Sequence, residues 1–402
     1  MKWMRKPKII LVPYPAQGHV TPILNLASAF LSHGFEPVMV TPEFIHRRFI
    51  SNIDSKSDIS CISIPDGLEM DKPSDFFAIE KAMENTMPTH LESLVQKLSE
   101  EGEVVACMVV DLLASWAIGV GHRCGVPVAG FWPAMLATYQ LIAAIPDMVR
   151  TQLISDTGTP QHPGPLRFLP DQPLLSTEDL PWLIGTPASR KARFKFWLRA
   201  LDRSRNLPWL LVNSFPADEF INHDKPQKRC STRELYESTT YFPRLPFLWV
   251  LGPTWKDGLP SGYIERVSKQ GTVVSWAPQH EVLQHKAVTC YLTHCGWNST
   301  MEAIRCRKRL LCYPVAGDQF VNCAYITEKW KIGVRISGLG QKEMERGLRR
   351  VMDDKKMSDR LERLRERTMG EEASSVMMSS LATFVNDFKK QTDGMFPTDL
   401  PI

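Results

Sequence analysis

Residues 276–319 read WAPQHEVLQHKAVTCYLTHCGWNSTMEAIRCRKRLLCYPVAGDQ. Inside this stretch Val288–Thr293 is a short apolar run with strand character, and Ser299–Arg305 has helical character. Leu310–Tyr313 is a second apolar run, and Gln319–Lys329 opens a second helix. Strand and helix alternating at this spacing predict parallel βα units. In such units a ligand crevice forms where strand ends meet helix N-termini, and the polar residues of the stretch fall there.

Those polar residues suit a nucleotide sugar. Trp276 offers a flat face for a uracil ring, and the backbone beside it at Ala277 can pair with the ring's polar edge. His294-Cys-Gly296-Trp297-Asn298-Ser299 lies between strand and helix, where free N–H groups and the helix dipole favour a diphosphate. His294, Asn298 and Ser299 add side-chain donors, and Glu302, one turn on, can accept from ribose hydroxyls. Asp318 and Gln319 stand at the next strand end. Any one of these residues alone is more often core or helix cap than ligand contact. Some ten in register are not chance.

Outward from this stretch the alternation continues. Phe247–Leu251 and Thr272–Trp276 read as strands, and Glu281–His285 as a short helix. Nearer the start, Lys8–Tyr14, Val38–Thr41, Val104–Val110 and Val128–Phe131 read as strands, with a helix at Ala114–Cys124. Another helix is expected from Thr21 as N-cap and Pro22 as first residue to a stop at Gly34. Residues 151–190, rich in proline, predict a long surface loop. Residues 221–243 lack apolar periodicity and read as a linker, and Lys342–Lys390 as a charged helical tail.

A second motif precedes that first helix: P-Y-P-A-Q-G-H-V-T-P at 13–22, with His19 in the loop after the first strand. An alcohol attacking a sugar carbon needs a base that works near pH 7, and histidine suits. A carboxylate that orients the ring helps such a base, and Asp111, ending the strand Val104–Val110, is the candidate.

The chain has 402 residues, 48 Lys+Arg against 44 Asp+Glu and nine cysteines. One hydrophobic core stops growing near roughly 250–300 residues, so two domains are expected. The formal charge of +4 is spread without a basic tract, which argues against a nucleic-acid partner. The cysteines are odd in number and show no C-x-x-C and no histidine at zinc spacing. A disulfide framework or structural metal is therefore not expected. The run Ile9–Val12 is too short for a signal peptide, and no run reaches transmembrane length. A cytoplasmic, monomeric protein without integral membrane association is the expectation. No G-x-G-x-x-G follows an early strand, so a nicotinamide-dependent oxidoreductase has little support.

Trp276–Gln319 resembles the 44-residue signature box of the plant secondary-product UDP-glycosyltransferases, family 1 of the glycosyltransferases, with its spacing intact. The resemblance extends to Pro13–Pro22, Asp111, the N-S-F-x-x-x-E stretch at Asn213–Glu219 and the helical tail. It implies an α/β fold of GT-B type, two Rossmann-like, doubly wound domains facing across a cleft. Residues 1–225 would bind the acceptor, 226–245 would link, and 246–380 would bind the UDP-sugar. A last helix, about 381–402, would pack back on the first domain. It also implies Trp276 on uracil, Gln279 and Glu302 on ribose, and His294, Gly296, Asn298 and Ser299 around the diphosphate. Trp297, Asp318 and Gln319 would meet the sugar, with the terminal Gln leaning toward glucose. His19 and Asp111 would form the catalytic pair of an inverting transfer to a hydroxyl of a small lipophilic plant metabolite. Acceptor contacts are expected from Leu68–Phe77, Phe131–Tyr139 and residues 160–187. No cofactor or metal is expected: there is no D-x-D, and a helix N-terminus with His294 can stand in for a cation.

Two features depart from that pattern. Arg307-Lys308-Arg309 replaces the usual Gly-Val-Pro and predicts a solvated turn. Family members also enter the second domain through a strand, an S/T-F-G-S type turn and a long helix, whereas this chain runs from the linker directly into P-F-L-W-V. The missing strand belongs mid-sheet, so its loss would leave backbone groups unpaired. Either residues 221–246 substitute for it, or the chain is a truncated isoform, impaired or unstable, that at most binds UDP.

Overall fold

The computed structural model describes residues 6–49, 58–68, 75–168, 172–215, 246–251, 261–262, 264–265 and 271–391. The expected linker, 226–245, lies outside them, as do 69–74 of the expected acceptor loops and 392–402 at the C-terminus.

Strand β1 (Lys8–Val12) is KIILV and buried along its whole length. A strand apolar on both faces belongs inside a parallel sheet. It pairs with β2 (Glu36–Pro42), which pairs with β3 (Ser60–Ile64). On its other side lie β4 (Val105–Asp111) and then β5 (Val128–Trp132). A small antiparallel hairpin, β6 (Pro165–Leu166) and β7 (Leu175–Ser176), stands apart. Strand β8 (Leu210–Val212) closes the sheet beside β5, giving the order β3-β2-β1-β4-β5-β8 with every pairing parallel.

Helix α1 spans Gln17–Ser32, so it begins a full turn before the expected Thr21–Pro22 start. Ala16 takes the extended N-cap conformation without a side-chain cap, and Pro22 lies inside the helix. His19 is therefore in the first turn of a helix and not in a loop. The helix tolerates Pro22 because the lost N–H would have bonded the Gly18 carbonyl four residues earlier. That carbonyl instead accepts from Asn298 Nδ2 at 2.9 Å.

The 151–190 stretch is not simply a surface loop. Leu175, Leu180 and Trp182 are fully buried, and the Trp182 indole N–H donates to Gly158 O at 2.7 Å. Helix α2 (Pro187–Ser204) then starts behind a Thr186 cap that accepts from Ser189 N.

The C-terminal strands form two separate sheets. β9 (Phe247–Val250) pairs in parallel with β10 (Gly271–Val274). β11 (Cys290–Thr293), β12 (Arg309–Cys312) and β13 (Gly333–Arg335) form a second parallel sheet in that order. Among the described residues no strand joins the two. Phe247, Leu248, Val250 and Leu292 are left exposed, Val250 at 49%. Half exposed, each forgoes roughly half of the ~1.5–3 kcal/mol that full burial from water is worth. Together that is a few kcal/mol, a sizeable share of a typical folding stability of about 5–15 kcal/mol.

The basic run at 307–309 is solvated only in part, at Arg307. Lys308 is buried and donates from Nζ to His285 O (3.1 Å) and Val288 O (2.7 Å). Arg309 reaches Val351 O and Ser358 Oγ, and Arg307 pairs with Glu362. The turn's open carbonyls act as acceptors, which charge counting along the sequence does not reveal. Arg307 holds φ 54°, a conformation that suits the glycine usual in the resembling family.

Helices α3 (Trp297–Arg305) and α4 (Gln319–Ala324) follow β11 and β12. The last helix, α5 (Glu371–Gln391), packs Leu381, Phe384, Val385 and Phe388 into a core with Ile9, Leu11, Val20 and Phe30.

Candidate active site

Parallel pairing of β1 with β4, Val12 beside Val110, sets Asp111 next to the point where β1 leaves the sheet. Asp111 is fully buried and His19 keeps 22% side-chain exposure; His19 Nδ1 lies 2.6 Å from Asp111 Oδ2. Asp111 also accepts from Leu113 N at 2.9 Å and Tyr14 N at 3.3 Å. Its carboxylate is thus fixed from three directions, and Nδ1–H donation to it leaves Nε2 with the free lone pair. Burial disfavours the charged ring, but the Asp111 charge and hydrogen bond, helped by Asp318, raise the His19 pKa above 6.5. Any stability gained from this shift is complete below about pH 6.5 and fades as pH rises through the raised value. The Tyr14 ring leans on His19 with centroids 5.0 Å apart, a neighbour the motif gave no reason to single out. Burial pushes the Tyr14 hydroxyl up to about 12, so it stays protonated.

The 276–319 residues gather around the ends of β10, β11 and β12. Gln279 Nε2 donates to Glu302 Oε2 (2.9 Å) and Ser299 Oγ (3.1 Å), while Tyr291 O–H donates to Gln279 Oε1 (3.0 Å). Tyr291 was missed because its strand position reads as structural. Trp276 is 74% exposed, with its face open beside Ala277. At the start of α3, Gly296 is the N-cap, and a methyl group there would collide with the His294 ring. Only glycine lets that imidazole fold over the helix N-terminus, where the first N–H groups have no helical partner. Burial lowers the His294 pKa, so the ring is neutral at pH 7.

Asp318 accepts from Asn322 Nδ2 at 2.9 Å, and Gln319 Oε1 accepts from Val315 N and Ala316 N. Burial raises the Asp318 pKa, while Asn322 and the charges of His19 and His294 oppose the rise. Asp318 therefore senses both histidines, one from each half of the chain. Trp297 is the exception. Its side chain is buried, donates to Asn213 O at 2.6 Å and packs on Phe215 and Trp330. The indole is spent on the core, so only the Trp297 backbone remains for a sugar. A bidentate Arg335–Asp179 pair (2.7 and 3.1 Å) further ties the C-terminal part to the long loop.

The UDP-glucoronosyl and UDP-glucosyl transferase family model matches residues 248–367. UDP-glycosyltransferase 82A1 of Arabidopsis thaliana is 48% identical, covering 93% of this chain and 96% of its own length. The chain belongs to the plant UDP-glycosyltransferase family. Its alignment with that relative spans 449 positions, more than the 402 residues here, so the relative has residues without a counterpart. Linamarin synthase 1 of Manihot esculenta, 27% identical, covers 92% of the chain and 94% of its own length. A UDP-glucosyltransferase from Polygonum tinctorium superposes with a TM-score of 0.75 at 23% identity, over 96% of this chain and all of its own. Medicago truncatula UGT71G1, solved with UDP-glucose, gives 0.68 at 18%, over 95% and 98%. The fold of this UDP-glycosyltransferase is α/β of GT-B type. No described helix is long and apolar enough to cross a membrane.

Proposed function

We propose that this UDP-glycosyltransferase moves glucose from UDP-glucose to a hydroxyl of a small lipophilic plant metabolite with inversion. His19 is the general base and Asp111 its orienting partner. In this reading residues 1–225 form the acceptor domain and 246–380 the donor domain. Nε2 of His19 takes the acceptor proton, and the oxygen attacks the anomeric carbon opposite UDP. The N-terminus of α3, with His294, Asn298 and Ser299, stabilises charge growing on the leaving diphosphate. Trp276 stacks on uracil, and Gln279 and Glu302 meet the ribose. Gly296 leaves room for the phosphates, and the Trp297 backbone, Asp318 and Gln319 face the sugar. The observation that carries the proposal is the Asn298–Gly18 hydrogen bond, which sets a diphosphate-site residue beside the residue preceding His19. A panel of phenolic and terpenoid alcohols tests it: acceptor-dependent UDP release is expected, and none from any alcohol would refute it.

A second reading rests on the division between β9 and β11: a truncated isoform that at most binds UDP. A cooperative melt above about 45 °C, raised further by UDP, would count against it.

Two substitutions separate donor binding from base chemistry. Trp276→Ala should raise the donor KM roughly tenfold or more, since a stacked base is worth ~1–3 kcal/mol. The ring is mostly exposed, so kcat and the melt should hardly change. A preserved donor KM removes Trp276 from the site. Asp111→Asn should cut kcat by about a hundredfold or more, as the ring loses its orienting charge. With that charge gone the His19 pKa falls, and the acid limb of the kcat profile moves to lower pH. A limb that stayed in place would dissociate Asp111 from the base.

A further inference from the structure

Cys295, Cys312 and Cys323 come from three different elements: the β11–α3 turn, the end of β12 and the last turn of α4. No spacing rule links them, yet their Sγ atoms all lie within 4.8 Å of one another and all three residues are fully buried. Cys295 holds φ 66°, a left-handed conformation costly for a residue with a side chain. It is kept there by its N–H donating to Thr293 Oγ1 (3.0 Å) and its carbonyl accepting from Asn322 Nδ2 (2.9 Å). The strain and both hydrogen bonds deliver one sulfur to the other two. Asn322 Oδ1, buried next to Cys323 in sequence, has no hydrogen-bond partner among the described residues.

We propose that Cys295, Cys312 and Cys323 form a trigonal three-sulfur site for one soft monovalent cation of the Cu(I) class. Metal–sulfur bonds of about 2.3 Å in a planar triangle place the sulfurs about 4 Å apart. The triangle seen here reaches that with sub-ångström closure. Soft thiolates select Cu(I), whereas zinc wants four ligands, and among the described residues no fourth Cys, His or carboxylate joins the cluster. Each Cu–S bond formed replaces an S–H, whose proton leaves to solvent; copper enters and stays as Cu(I), so no redox partner is needed. The Arg335 guanidinium acts electrostatically on Cys295 and Cys323 and offsets part of the thiolate charge. Occupancy would pin the turn between His294 and the Gly296 N-cap to β12 and α4.

The test titrates the reduced full-length chain with Cu(I) under nitrogen against a chromophoric Cu(I) chelator. One equivalent per chain should be held, X-ray absorption should report three sulfur ligands, and the melting temperature should rise, because binding favours the folded state. Cys312→Ala should weaken binding at least tenfold and abolish the rise, while Cys124→Ser, outside the cluster, should change neither. Should Cys312→Ala not fold, Cys323→Ala takes its place. Should both fail, the wild-type melt and spectrum decide. Copper bound without thermal stabilisation, as by thiols of an unfolded chain, would overturn the proposal. So would two-sulfur coordination, or Zn(II) held with four ligands in preference to Cu(I).

Discussion

His19→Ala should lower kcat by about 10²–10⁴-fold, the usual contribution of a positioned general base. UDP affinity should not change on the proposed roles, because Asp111 holds the ring through Nδ1 and the residues proposed for the nucleotide lie in 276–319. Isothermal titration with UDP beside initial-rate kinetics checks both halves. A tenfold loss of UDP affinity, about 1.4 kcal/mol, would show that His19 does more than move a proton.

The second large effect concerns the donor sheet. Placing a strand–turn–helix segment ahead of Pro246, taken from the 48%-identical relative, should join the two C-terminal sheets. The new strand would pair with the open edges of β9 and β11 and cover Phe247, Leu248, Val250 and Leu292. Several kcal/mol of recovered burial should raise the melting temperature by on the order of 10 °C. The donor KM should fall too, since a mid-sheet strand holds β10 and its Trp276 turn in register with α3. Calorimetry of the two forms measures this. An unchanged melt would mean that the chain already stabilises the division between the sheets, and the truncated-isoform reading would lose its basis.

The comparison of sequence with structure divides along physical lines. Strand β1 was legible because a run buried on both faces leaves an unbroken apolar signal. The 276–319 residues were legible because a fixed spacing encodes a turn and a helix start together. A missing strand between linker and P-F-L-W-V was an expectation from spacing alone, and among the described residues the C-terminal strands form two sheets, β10-β9 and β11-β12-β13. What escaped depends on partners distant in sequence. Thr21–Pro22 looks like a helix start, but the proline is tolerated inside α1 because Asn298, 280 positions away from Gly18, takes the freed carbonyl. Trp297 is expected to meet the sugar, but the sequence does not show that Asn213 takes its indole N–H. Lys308 looks solvated until two carbonyls of the preceding segment close on it. The cysteine triangle has no linear signature, since two strand ends and a helix must pack before it exists.

The pH dependence of kcat, measured with saturating donor and acceptor, is the most direct examination of an imidazole that must be neutral to act. The rate should climb with a single acid limb centred above 6.5, the side to which Asp111 moves His19, and then level off. A flat profile, or a limb well below 6.5, would mean that no histidine in this setting takes the acceptor's proton.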